Sequence, residues 1–322
     1  MPATNSAPFS LSIFVPGNTP AVWRKINAGV GGSDSWGSSG ACVERSGQGR
    51  IFHYFNWMNI YDPSANMWSR ASGRGRRENY GSDHDTDSGV IWMAPGAPVS
   101  DPGLTGTVAY DIARGTFQQM ATAGGADAVY AWDQVRKVLY TFGGFDANVQ
   151  QLRAKTTSPD GPWTDKKPSG AIPVLVNDSS GYTHLRGGID SRNGKLWVIG
   201  DNEELYQYDP DTNVWTQIPT TGSKPRRYSV FMLDELHDCI VGHCGVNEIQ
   251  SDIGAGIAAN DTRILNLATR QWSRGPQGAA ACPLPAAEVA YIPLYDRVRS
   301  RSLILVYNPN TGGTDVWQLV WK

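Results

Sequence analysis

An aromatic residue closes a short strand-like run at nearly even steps along the chain: Trp23, Trp68, Phe117, Trp163, Trp215, Trp272 and Trp321. Successive gaps are 45, 49, 46, 52, 57 and 49 residues. A repeat of this length is one supersecondary unit that cannot bury its apolar face alone, so neighbouring units must stack. In β-rich sequence the expected product is a ring of small sheets, a β-propeller.

Four of the aromatics end closely related segments. Tyr61-Asp62-Pro63-Ser64-Ala65-Asn66-Met67-Trp68 matches Tyr208-Asp209-Pro210-Asp211-Thr212-Asn213-Val214-Trp215 at five of eight positions. Tyr110 to Phe117 and Leu265 to Trp272 keep the same seven-residue spacing. Each segment reads as strand, tight turn, strand. Asp and Asn bond the backbone two residues on, and Pro presets φ for the turn. The aromatic is then expected to fill the gap between adjacent sheets.

Tyr140-Thr141-Phe142-Gly143-Gly144-Phe145 supplies a strand ending in a glycine doublet, while Trp197-Val198-Ile199-Gly200-Asp201 and Ile240-Val241-Gly242-His243 keep one glycine of the pair. A glycine doublet followed by Tyr-Asp-Pro and a spaced Trp resembles the Kelch repeat, here in degenerate form over roughly residues 20 to 322. That resemblance implies an all-β, six-bladed Kelch-like propeller with four-stranded antiparallel blades, the fold of the galactose oxidase central domain. Units are expected at about 34–70, 78–121, 125–165, 180–217 and 226–274, with the last starting near 286. A small, apolar first strand should line the channel in each.

The last unit stops one strand short, at Trp321, whereas Ala21-Val22-Trp23-Arg24-Lys25-Ile26 is a fourth-strand pattern with no unit before it. The N-terminal strand is therefore expected to complete the final blade and cover its open edge. Residues 1–20 form an extension and 21–322 a single propeller domain. Seven blades is the alternative, if residues 9–26 begin a sheet of their own.

Net charge is −2 with 18% charged residues, so no basic footprint for nucleic acid is present. Arg70, Arg74, Arg76 and Arg77 read as a solvated loop. The four cysteines (Cys42, Cys239, Cys244, Cys282) form neither a disulfide framework nor metal-spaced pairs, and reduced thiols are expected. Asp83-His84-Asp85-Thr86-Asp87 lacks the glycine and glutamate of a calcium loop and reads as a solvated turn. The opening Met-Pro-Ala-Thr-Asn lacks the pattern of a signal peptide, and no apolar run has membrane-spanning length. A cytoplasmic or particle-associated protein is expected.

In such blades the connections entering first strands and leaving second strands emerge on one face. The residues expected there are Trp36, Trp57, Arg77, Tyr80, His84, Tyr130, Tyr182, His184, Arg186, Arg227, Tyr228, His243 and Glu288. Arginine forks suit carboxylates, and Tyr and Trp offer flat apolar faces with a polar edge. The expected role is a non-enzymatic binding or assembly module for a protein, peptide or glycan, with membership of a larger assembly as one form of it. The alternative is acid–base chemistry on a sugar or small polar metabolite. The resemblance to Kelch-like mutarotases makes Glu288 the base, Arg227 the anion anchor and His184 a helper. A copper site built on His84, His184 and His243, as the oxidase resemblance would imply, ranks below both, because Cys42 lacks the context of the cross-linked cysteine. No metal or other cofactor is expected.

Overall fold

The computed structural model describes residues 21–27, 40–45, 47–54, 58–71, 81–94, 107–120, 128–143, 151–156, 161–174, 186–200, 202–225, 230–243, 262–276, 291–308 and 313–321. These build six four-stranded antiparallel sheets, and no helix occurs among them. The leading strand is β1 (Ala21–Asn27). Blade one comprises β2 (Gly40–Val43), β3 (Ile51–Tyr54), β4 (Met58–Asp62) and β5 (Met67–Arg70). Blade two is β6 (Ser82–Asp85), β7 (Val90–Met93), β8 (Val108–Asp111) and β9 (Thr116–Gln119). Blade three is β10 (Val129–Asp133), β11 (Val138–Phe142), β12 (Leu152–Thr156) and the short β13 (Thr164–Asp165).

The connection into blade four carries β14 (Ser169–Gly170), and the blade itself is β15 (Arg186–Ile189), β16 (Leu196–Ile199), β17 (Leu205–Asp209) and β18 (Val214–Ile218). Then come β19 (Thr221–Gly222) and blade five: β20 (Val230–Asp234), β21 (Cys239–His243), β22 (Thr262–Asn266) and β23 (Gln271–Arg274). Blade six is β24 (Tyr291–Asp296), β25 (Arg301–Asn308) and β26 (Gly313–Trp321), completed by β1. First strands touch in cyclic order (β2, β6, β10, β15, β20, β24, back to β2), so the sheets close into a six-bladed propeller.

Closure is made by β1 lying antiparallel to β26, from Ala21 opposite Trp321 to Asn27 opposite Val316, with one bulge near Ile26. Trp23 is buried among Ile304, Leu319 and the blade-five residues Val241 and Ile264. Its indole donates to Thr262 Oγ1 at 2.9 Å, and Lys25 pairs with the buried Asp315 at 2.7 Å. The six-blade expectation and the joining of the two chain ends in one sheet both hold.

The seven-residue spacing has a simple geometric cause. Tyr61 and Trp68, Tyr110 and Phe117, Tyr208 and Trp215, and Leu265 and Trp272 are directly opposed across the third and fourth strands. A four-residue turn separates each pair of strands. Its last residue sits at positive φ: Asn66 (52°), Gly115 (65°), Asn213 (56°) and Arg270 (57°). In two blades the tyrosine hydroxyl locks that asparagine, Tyr61 to Asn66 and Tyr208 to Asn213, each at 2.8 Å. Turn and aromatic pair are thus one cooperative unit, worth more than area burial alone.

Two connections run as short straps along the outer edge of the next blade. β14 pairs parallel with β18, and β19 with β23. Each strap holds a glycine against the strand of the spaced tryptophan. A Cβ on Gly170 would lie 2.2 Å from the Trp215 carbonyl oxygen, and one on Gly222 would lie 2.3 Å from that of Trp272. Their φ values, 89° and 85°, also favour glycine. The straps cover edges that would otherwise offer unpaired backbone groups.

The first strands depart from the small, apolar pattern expected of them. Each ends in, or is followed by, a buried acidic residue: Glu44, Asp85, Asp133, Asp190, Asp234 and Asp296. The carboxylate accepts backbone amides of the turn into the second strand, as Asp133 does from Val135 at 2.9 Å and Arg136 at 3.0 Å. Asp83, His84 and Asp85 belong to this layer too, being a buried strand where a solvated turn was expected. Neighbouring blades cover both sides of a first strand, so its polar groups are buried and must find hydrogen-bond partners within the protein.

Turn arginines oriented by these carboxylates reach the following blade. Arg136 joins Asp133 to Asp211, Arg192 joins Asp190 to Asp238, and Arg299 runs from Asp296 to the carbonyls of Gln48 and Gly49. The blades are thereby tied together at one end of the ring. Cys42 and Cys239 are buried and unbridged. Cys244 and Cys282 lie outside the described residues.

Candidate functional site: the two faces of the ring

Strand direction divides the connections by length. At one end, turns between first and second strands and between third and fourth strands are mostly four residues long, as at 63–66, 86–89, 112–115, 134–137, 210–213, 235–238, 267–270 and 297–300. At the other end lie 71–81, 94–107, 120–128, 143–151, 244–261 and 275–290. The long connections therefore share one face and the tight turns the other.

Of the residues expected at the long-connection face, Trp36, Trp57, Arg77, Tyr80, Tyr182, His184, Arg227, Tyr228 and Glu288 lie outside the described residues, as does the blade-five insertion 245–261. Arg186 opens β15 at that end, paired in the sheet with Ile199. Tyr130 is buried near the start of β10, its hydroxyl 3.0 Å from Thr107 Oγ1 of blade two. His243 ends β21 and is buried, its Nδ1 3.0 Å from the Thr262 hydroxyl that also receives the Trp23 indole. His84 sits towards the tight-turn end of β6, where its Nδ1 accepts the Arg45 amide at 2.9 Å. These three side chains occupy three different blade boundaries. His84 and His243 lie on opposite ends of their strands.

The described charged cluster of the channel is at the tight-turn end, and sequence reasoning passed over it. Arg45, from blade one, pairs with Asp83 of blade two and donates to the Trp132 carbonyl of blade three at 2.9 Å. Asp83 also accepts the Trp132 amide at 2.6 Å. Arg297, from blade six, donates to Glu235 of blade five at 3.0 Å and to the Ile189 carbonyl of blade four at 2.8 Å. Glu235 further accepts the Ser191 amide at 2.8 Å and its hydroxyl at 2.6 Å. A chord from blade one to blade three, or six to four, passes inside the ring. One guanidinium thus ties blades one, two and three, and the other ties blades four, five and six.

Burial, then the nearby Arg297 charge, lowers the Arg45 pKa, while Asp83 opposes the change. Burial raises the Cys42 thiol well above its ordinary value, so it is no ready nucleophile. The cluster sets two cations against two anions. Among the described residues its bonds run to protein groups, and the one buried guanidinium nitrogen of the pair without a partner is Arg45 Nε, so the cluster acts as a clasp. The signal for it was a charged residue following the acidic end of a first strand, in Glu44-Arg45, Asp234-Glu235 and Asp296-Arg297.

Two buried imidazoles give the fold a pH dependence. Burial depresses His53 to about 4 and lowers His84 as well. Both are favoured uncharged in the folded chain, so their stabilisation is complete above an unfolded value of 6.5 and fades as pH falls towards 4. His53 alone should cost about 2 kcal/mol of stability between pH 7 and pH 5. Urea midpoints at the two pH values should show that loss, and His53→Gln should flatten the slope. An unchanged slope would contradict the assignment.

Among the described residues, no cluster of three or more His, Cys, Asp or Glu side chains is placed to hold a metal ion. No helix long and apolar enough to cross a membrane is found among them, a statement that leaves β-barrels aside. No protein-family model matches the chain.

Proposed function

We propose that this propeller is a non-enzymatic binding or assembly module that docks a protein, peptide or glycan on its long-connection face. The observation that carries this reading is the asymmetry of the two ends. The tight-turn end is tied blade to blade by ion pairs and clasped by Arg45 and Arg297, while the connections 71–81, 94–107, 120–128, 143–151, 244–261 and 275–290, each of nine residues or more, leave strands at the other end. Binding residues concentrate on long loops held by a rigid scaffold, because such loops vary without disturbing the core.

The Kelch-like character of the repeats supports the same face. The candidate contacts Arg77, Tyr80, Tyr182, Arg186, Arg227 and Tyr228 combine forked donors with aromatic surfaces, a pairing suited to acidic or glycan ligands.

A glycan array and a peptide-display screen would supply the ligand. Arg227→Ala and Tyr228→Ala should then each weaken binding about tenfold or more, as hot-spot truncations do, with the melting temperature unchanged. Lys137→Ala on the opposite face should leave affinity intact. A loss confined to Lys137→Ala would place the ligand on the wrong side for this reading, and unfolding of the Arg227 or Tyr228 variants would make those residues structural.

A further inference from the structure

Arg45 is held by its backbone as well as by its side chain. The guanidinium reaches blades two and three, at the Asp83 carboxylate and the Trp132 carbonyl. The backbone amide donates to His84 Nδ1 at 2.9 Å. That imidazole is buried and stands next to Asp83 on β6, so one short strand of blade two grips Arg45 at both points.

A backbone amide can only donate, so Nδ1 is bare and the neutral ring carries its proton on Nε2. A further proton can enter only at Nδ1, the atom towards which the Arg45 N–H points. The imidazolium has no acceptor left, and the bond becomes a clash of two donors. A new cation then also faces the Arg45 guanidinium.

The anions around the ring are already committed. On its own strand, Asp83 accepts the His84 amide at 2.8 Å, the Trp132 amide at 2.6 Å and Arg45, while Asp85 accepts the Asp87 and Ser88 amides and the Ser88 hydroxyl. At the end of blade one, Glu44 is paired with Arg50, and Cys42 of β2 stays a neutral thiol. The facing β7 has no charged residue, and β10 brings only Asp133, which is paired with Arg136. One Asp83 carboxylate cannot balance both Arg45 and an imidazolium. Burial outweighs the pull of Asp83, Glu44 and Asp85, and Arg45 opposes the proton too, so His84 titrates below its ordinary 6.5.

We propose that His84 is a proton-operated latch on Arg45: a proton on Nδ1 expels the Arg45 amide and frees the guanidinium from blades two and three. The tie is closed at neutral pH and opens in mild acid. Closed, the ring resists protonation; open, it titrates near 6.5, so the open population grows as pH falls below that value, by at most about tenfold per pH unit. The bonds of Arg297 to Glu235 and Ile189 involve no imidazole, so blades four to six stay tied through the change.

An NMR titration of the isotope-labelled full chain from pH 7.5 to pH 5 tests the latch. The His84 ring should show the Nε2–H tautomer at the start. As it titrates, the Arg45 and Trp132 amides should shift with the same midpoint. Their hydrogen-exchange protection should fall about fivefold between pH 7 and pH 5.5, after correction for intrinsic rates. The Ser191 amide, bonded to Glu235 in the other half of the ring, should not follow that midpoint. In His84→Gln, whose side-chain carbonyl still accepts an amide, the shared midpoint should vanish from Arg45 and Trp132. An Arg45 amide unmoved while His84 titrates would overturn the proposal, with no variant needed. So would a ring protonated on Nδ1 at pH 7.5, a ring that stays neutral throughout the titration, or a midpoint that survives His84→Gln.

Discussion

Deleting residues 1–27 should yield a chain that aggregates on expression or melts far below the parent. The loss removes the fourth strand of blade six, opening the nine-residue β26 as a free edge. Exposed edges of that length are templates for pairing with other chains. It also removes Trp23 from a cluster spanning blades five and six, and strips the buried Thr262 and Asp315 of one partner each. Truncating one buried Trp costs about 3–5 kcal/mol, against a typical whole-domain stability of about 5–15 kcal/mol. The strand contributes far more than its tryptophan, so little net stability should remain. Light scattering and a circular-dichroism melt would measure this. A monomeric truncated chain melting at the parent temperature would mean that the ring closes without β1.

Trp215→Ala should destabilise the protein by about 3–5 kcal/mol, with binding at the long-connection face unaffected in the folded fraction. The side chain is 1% exposed, lies 5.1 Å from the Phe142 ring of blade three and 5.3 Å from Tyr208 across its own hairpin. It therefore joins two blades as well as two strands. Its buried Nε1 has no hydrogen-bond partner, so Trp215→Phe gives up area alone and should cost less than half as much as the alanine. Urea unfolding of the three proteins would rank them. A change below about 1 kcal/mol for the alanine variant would show that the spaced aromatics do not hold adjacent blades together.

Those aromatics were legible because the cause of their spacing is local. A strand, a four-residue turn and a returning strand put residues seven apart directly opposite one another, whatever the blade. Closure was legible for a similar reason: a fourth-strand pattern at Ala21–Ile26 and a missing fourth strand after Trp321 have one economical solution. The first-strand acidic residues were not. An aspartate ahead of a turn reads as solvated, yet Asp133, Asp234 and Asp296 are buried because adjacent blades cover both sides of the strand. The clasp was less legible still, since Arg45 and Arg297 meet their partners only once the ring has closed. Of the binding candidates, the sequence could say which strands they flank. It had no period with which to join side chains of different blades, and loop residues such as Arg227 and Glu288 follow no repeat.

The most direct test of the ring is the amide hydrogen exchange of β1. If β1 completes the blade-six sheet, its alternate amides that bond β26 should open with nearly the free energy of global unfolding, as those of the central β25 should. Exchange there several orders of magnitude faster than in β25, in an otherwise intact protein, would contradict closure by the N-terminal strand.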